Sequence, residues 1–251
     1  MKATLLLLGL LAVGALLPYA SAADVNPAGG NLPPGWGHLL GTDHLGRDVL
    51  ARLLAGSRAF LLPGAAAAGL AAAVGVALGA AAGWAGGMVE SGVRAAIGAV
   101  RALPPLVLAL LVMMAVGATP VGLALGVGLG AVPGLAEAVA DRLAELRRAE
   151  FVTAARGHGH SSLRILLFHL LWVNTRGLVG REALAVMGQA LVLEVTLSYL
   201  GSFGVQEPTP SWGNMIDHAL RTGSANHLAW AAPAAAVLLT VWACSPAPVR
   251  R

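Results

Sequence analysis

Twenty-five consecutive residues, Phe60 to Trp84, contain no charged side chain. A helix of that length rises about 1.5 Å per residue and spans the roughly 30 Å hydrocarbon core of a bilayer. In water, such a run would have to be buried on every side. The rest of the chain repeats the pattern: 57% of its 251 residues are hydrophobic and 11% charged. Soluble domains carry about 25% charged residues. Intrinsic disorder is excluded by the apolar excess. A collagen-like chain is excluded because the 33 Gly and 14 Pro follow no period of three. Hydrophobic runs separated by charged stretches point to helices rather than a barrel, whose strands alternate.

Six runs are long and apolar enough to be candidate spans: Ala3–Ala20, Phe60–Trp84, Leu103–Ala118, Val121–Ala136, Ala183–Leu200 and Leu228–Cys244. The expected fold is an all-α integral membrane protein of about six transmembrane helices. It has five if residues 1–22 are a cleaved signal. Lys2, then Leu5–Leu17, then Ala20-Ser21-Ala22 fit either a signal or a first span. The arginines orient the chain. With the N-terminus inside, twelve of the 16 Lys+Arg lie in inner segments, and Arg47, Arg52, Arg58 and Arg221 lie outside. Gly75, Gly79 and Gly83, and Gly122, Gly126, Gly130 and Gly134, recur every four residues and let neighbouring helices approach closely. The single cysteine, Cys244, cannot form an internal disulfide or a CxxC site.

Three polar segments remain. The first, residues 23–59, opens in a Gly/Pro/Asn-rich loop and continues as Gly41-Thr42-Asp43-His44-Leu45-Gly46-Arg47-Asp48-Val49-Leu50. Leu45, Val49 and Leu53 recur every four residues. They predict a short amphipathic helix on the outer membrane surface, capped by Thr42 or Asp43, with Asp48 and Arg52 paired at i, i+4. The second, an inner loop at 137–182, predicts a charge-laced helix, a break at Gly157 and Gly159, and a new helix capped by Ser161 or Ser162. Its patterned length suits docking of another protein. The third, outside, holds Pro208, Pro210 and Trp212, the last suited to a membrane interface.

Candidate functional residues inside spans are few. Glu194 is an acid within a predicted span and must face protein or water. It reads as a pathway or gating residue, or as a buried structural acid; Ser198 lies one turn away. Met113 and Met114 read as a soft channel lining or as packing. His38, His44, His158, His160, His218 and His227 form no HExxH pair, and no resident metal site is expected. A P-loop needs a Gly-rich turn with Lys, and Lys2 is the only lysine. Energy for any active transport must come from a partner.

Together the polar segments resemble the permease subunit of binding-protein-dependent ABC importers of the dipeptide/oligopeptide/nickel class. Gly41–Leu50 is similar to the family's GTDxLGRDxL signature. Leu197-Ser198-Tyr199-Leu200-Gly201, then Pro208-Thr209-Pro210-Ser211-Trp212-Gly213-Asn214-Met215, resembles LSFLG…PTPSWGNM. Between them Thr153, Ala154, Ala155 and Gly159 hold the places of the EAA motif, with Thr153 in place of its Glu and Trp172 in place of a later Pro. Glu150 offers a carboxylate one turn earlier.

The resemblance implies a non-catalytic subunit of the bacterial inner membrane. Its implied partners are a second permease subunit, two cytoplasmic ATPases that bind ATP and Mg, and a periplasmic or lipid-anchored substrate-binding protein. Glu150, Thr153, Ala154, Ala155, Arg156 and Gly159 would form the ATPase-coupling loop. Gly41, Thr42, Asp43, Gly46, Arg47, Asp48, Pro208, Pro210, Trp212, Gly213 and Asn214 carry the periplasmic signatures. Residues 60–251 would form the permease domain, and peptides, nickel or a metal chelate the cargo. An ion-gradient transporter using Glu194 is the alternative, but no inverted repeat or second intramembrane acid supports it.

Overall fold

The computed structural model describes residues 24–201 and 203–245, together with Gly9 and Gly14. The expected first span or signal, 1–22, lies outside the described residues apart from those two glycines. Every helix or strand longer than an isolated bridge is a helix among the described residues. A 3-10 turn (Pro27–Gly29) opens the chain. Then come α1 (Val49–Gly56), α2 (Arg58–Ala85), α3 (Gly87–Arg101), α4 (Pro105–Val116), α5 (Pro120–Leu146) and α6 (Glu150–Gly157). Next, α7 (Ser162–Arg164) passes through a π-helical stretch, Ile165–Thr175, into α8 (Arg176–Leu200). Finally α9 (Trp212–Arg221) precedes α10 (Leu228–Cys244).

Three helices are long and apolar enough to cross a membrane: Val49–Ala85, Pro120–Leu146 and Ser162–Leu200. The span expected at Leu103–Ala118 is shorter, and α4 meets α3 at an 85° bend. Pro104 and Pro105 cause the break: neither has an N–H to continue the ladder, and Pro104 is extended at ψ 140°. α10 is a shorter apolar helix of 17 residues. The expected span at Val121–Ala136 and the charge-laced helix after it are one helix, α5, with Pro133 inside it.

The bundle centre is the parallel pair α2 and α5, in register from Ala67 beside Gly128 to Gly83 beside Ala140. A Cβ added at Gly79 would meet the Ala136 carbonyl and Val139, and one at Gly83 the Ala140 carbonyl and Leu143. The glycine stripe therefore brings two backbones into contact, the close approach that small residues permit in lipid. A mid-bundle core joins α2, α4, α5 and α8 through Ala67, Ala71, Met113, Leu123, Val127 and Ala190. At the end expected inside, Leu135, Val139, Leu143, Val152, Ile165 and Leu170 pack together. At the other end Val49, Phe60, Leu191, Trp212, Met215 and Ala229 form a third cluster.

Candidate functional site

The outer signatures form one interlocked structure. Asp43 folds the turn back on itself: Oδ1 accepts from the amides of Leu45 (2.9 Å) and Arg47 (3.0 Å). Its Oδ2 accepts from Arg47 Nε at 2.6 Å. Gly46 sits at φ +74° against the Asn26 carbonyl, where a side chain would be both strained and crowded. The Thr42 hydroxyl donates to the Gly29 carbonyl (2.6 Å) and accepts from the Leu32 amide (2.8 Å). The short helix starts later than the sequence suggests. Asp48, not Thr42 or Asp43, caps α1 by accepting from the Ala51 amide at 2.7 Å. Leu45 lies outside the helix, because Asp43 holds residues 43–47 in a turn.

Asp48 does not pair with Arg52. Its second oxygen meets His38 Nδ1 at 2.8 Å. Arg52 turns inward, 1% exposed, and donates to Glu207 Oε1 at 2.8 Å. Arg47, 4% exposed, donates to Glu207 Oε2 at 2.7 Å. One carboxylate thus receives both arginines, while Asp43 Oδ2 lies 3.8 Å from Arg52 Nε. Buried charges need this degree of mutual hydrogen bonding to offset desolvation. His218 stands 3.8 Å from Glu207 and stacks on His44 with ring centroids 6.2 Å apart. Burial pushes the His44 imidazole below its ordinary value, and its Nδ1 has no hydrogen-bond partner.

Trp212 is not at a lipid interface: it is 1% exposed, packs on Phe60 and donates from Nε1 to the Leu53 carbonyl at 2.7 Å. Ser211 and Asn214 form a capping box for α9. Asn214 Nδ2 also donates to the Thr209 carbonyl at 2.9 Å, tying down the loop that holds Pro208 and Pro210. Gly213 lies against the Val195 carbonyl and Ser198, so α9 rests directly on α8.

Below this loop is a cavity of about 490 Å³, lined among others by Pro63, Met113, Leu123, Glu194, Leu197, Phe203, Thr209 and Pro210. Glu194 is 2% exposed, and the Ser198 hydroxyl donates to its Oε1 at 2.5 Å. Ser198 Oγ in turn accepts from the Val205 amide at 2.8 Å. The Ser211 hydroxyl neighbours the same carboxylate, and Glu194 Oε2 has no hydrogen-bond partner. The two methionines part company: Met113 lines the cavity, while Met114 is 71% exposed on the outside of α4.

At the opposite end, α6 is an exposed elbow held by one anchor. Glu150, Thr153, Ala154, Arg156 and Gly159 are exposed and Ala155 is half-buried. Val152 is 1% exposed and plugs the helix into the inner core. Gly159 at φ +76° reverses the chain, with its amide donating to the Arg156 carbonyl. Ser161 then caps α7. Arg156 lies 5.6 Å over the Trp84 ring, and Arg147 donates to the Trp84 carbonyl at 2.8 Å, so the elbow touches the end of α2.

Sequence reasoning missed Glu207 and the His44–His218 stack, and gave Arg52 the wrong partner. One signal was present for Glu207: it and Asp217 are the only acids in the chain after Gly201. Among the described residues, no group of three or more His, Cys, Asp or Glu is placed to hold a metal ion.

No protein-family model matches the chain. It is similar to a protein of Brucella suis biovar 1 named as a peptide permease, at 33% identity over 96% of this chain and 79% of that protein. It is 32% identical to a dipeptide transport system permease protein of Bacillus subtilis, over 78% of this chain and 61% of that one. A glutathione transport system permease protein of Shigella flexneri is 35% identical over 85% of this chain and 70% of its own length. With the first of these matches covering 96% of it, the chain belongs to the peptide-class permease subunits of ABC importers, non-catalytic multi-pass proteins of the bacterial plasma membrane.

Proposed function

We propose that this subunit forms half of a translocation pathway for peptides or related small solutes and couples it to ATP hydrolysis in partner subunits. The exposed elbow Glu150–Gly159 carries the reading. It is a short helix with a polar outer face, one buried apolar anchor and a glycine reversal, joined directly to α5 and to the long helix leading into α8. Movement of such a handle tilts the helices it joins. Two cytoplasmic ATPases would grip this elbow and its counterpart on a second permease subunit, binding the ATP and Mg that this chain has no P-loop to hold. Glu194, Ser198 and Met113 are the pathway candidates, because Glu194 and Met113 line the outer cavity and Ser198 bonds to Glu194; Met114 lies away from it. The locked outer platform of Asp43, Arg47, Arg52 and Glu207 would be the footing for an external binding protein, whose pocket selects peptide, nickel or metal chelate. The names of the relatives favour peptides.

Gly159→Val tests the coupling. The left-handed conformation at φ +76° is costly for a β-branched residue. Co-purification of the ATPases and ATP-dependent uptake are expected to fall together. Unaltered uptake would refute the elbow assignment.

A further inference from the structure

We propose that the cavity under the outer loop is a binding site for a primary ammonium group, with the free oxygen of Glu194 as acceptor and Arg58 as counter-charge for a carboxylate on the same solute. This rests on the transport reading and narrows it to zwitterionic solutes with a free N-terminal amine. Glu194 is nine-tenths or more buried, yet only one of its oxygens is bonded, to Ser198. The other has no partner, and the residue lines a space of about 490 Å³. That volume lies within the roughly 300–1,000 Å³ of small-molecule sites. Desolvation makes an unpaired carboxylate in a span costly, so a cationic partner has much to offset.

Chemistry separates the classes of cation. A hard metal ion takes six or more oxygen ligands, and Glu194 is the one acid lining this cavity. A primary ammonium needs few acceptors and tolerates apolar walls. Met113, Leu197 and Phe203 provide such walls. Arg58 lines the same cavity and is exposed, so the cavity carries one negative and one positive group, the pattern of a small zwitterion.

The full chain, purified with its co-expressed partner subunits in lipid nanodiscs, is probed by saturation-transfer difference NMR. The ligands are dialanine, N-acetyl-dialanine and dialanine amide. In the wild type, dialanine and its amide are expected to bind, and the acetylated peptide about tenfold more weakly, the size of one charge-assisted hydrogen bond. Glu194→Gln lowers dialanine to the acetylated level, while Glu194→Asp, which keeps the carboxylate, retains part of the preference. Arg58→Gln weakens dialanine but not its amide.

Equal binding of free and acetylated peptide by the wild type overturns the site. So does wild-type binding by a folded Glu194→Gln complex. Equal loss of dialanine and its amide in Arg58→Gln overturns the carboxylate half. The elbow test reads ATPase capture, not ligand binding. A complex that captures the ATPases and imports peptide, yet is indifferent to Glu194→Gln, sinks this site alone.

Discussion

Arg52 and Glu207, 155 residues apart in the chain, share a 2.8 Å hydrogen bond in which the arginine is 1% exposed. Glu207 binds Arg47 with its other oxygen, so one acid from the late loop joins Asp43 of the early one in balancing two arginines. The two outer signatures are thus halves of a single lock. That lock cross-links two outer segments far apart in the chain.

Glu207→Gln should therefore damage the outer platform out of proportion to its position in a loop. Removing one partner of a buried pair costs roughly 3–5 kcal/mol. The lower end applies here, because the Glu207 side chain keeps 26% exposure. Thermal melting of the purified protein measures this; a melt unchanged from wild type would show that the lock is ornamental.

The contact between α2 and α5 gives a second expectation. Gly79→Val pushes a side chain into the Ala136 carbonyl and should cost at least the roughly 1–3 kcal/mol of overpacking. Gly134 has nothing within 4 Å of an added Cβ, so Gly134→Ala should be close to neutral. Equal melting temperatures for the two variants would contradict the packing described.

Acid should weaken the platform through His44. Burial lowers its affinity for a proton below the ordinary value of 6.5. The unfolded chain then takes up the proton first as pH falls, so stability is full above pH 6.5 and declines below it. Melting curves from pH 7.5 to 5 should show that decline in the wild type and less of it in His44→Gln. Parallel curves for the two proteins would remove His44 as the cause.

Thr153→Glu restores the acid that the family motif carries at this place. Thr153 is exposed, so folding should change by no more than about 0.5 kcal/mol. ATPase capture should rise, by pull-down against the wild type. Val152→Asp, by contrast, buries a charge at a site 1% exposed and should detach the elbow. If both variants capture the ATPases equally, Val152 is not the anchor that positions the handle.

Local chemistry was enough for much of this. The apolar run Phe60–Trp84 foretells α2 within two residues at its start and one at its end, because burial in lipid demands an uninterrupted helix of that length. Leu228–Cys244 was equally plain. Gly159 marked the elbow, because a positive φ is a property of the single residue, whereas Gly157, also expected to break the helix, is the last residue of α6. The three polar segments were legible as the places where chemistry could reside.

What only the tertiary structure decided are the partners. Asp48 and Arg52 looked like a local pair, yet Asp48 is drawn to the α1 amides and His38, and Arg52 to Glu207. Trp212 looked interfacial, yet its indole finds the Leu53 carbonyl 159 residues away. Glu194 could be recognised as an acid in a span, but not as one with a free oxygen over a cavity. Periodicity and turn propensity are written into neighbouring residues. Which buried charge meets which depends on how α2, α5 and α8 close around one another, and that packing has no local signature in the chain.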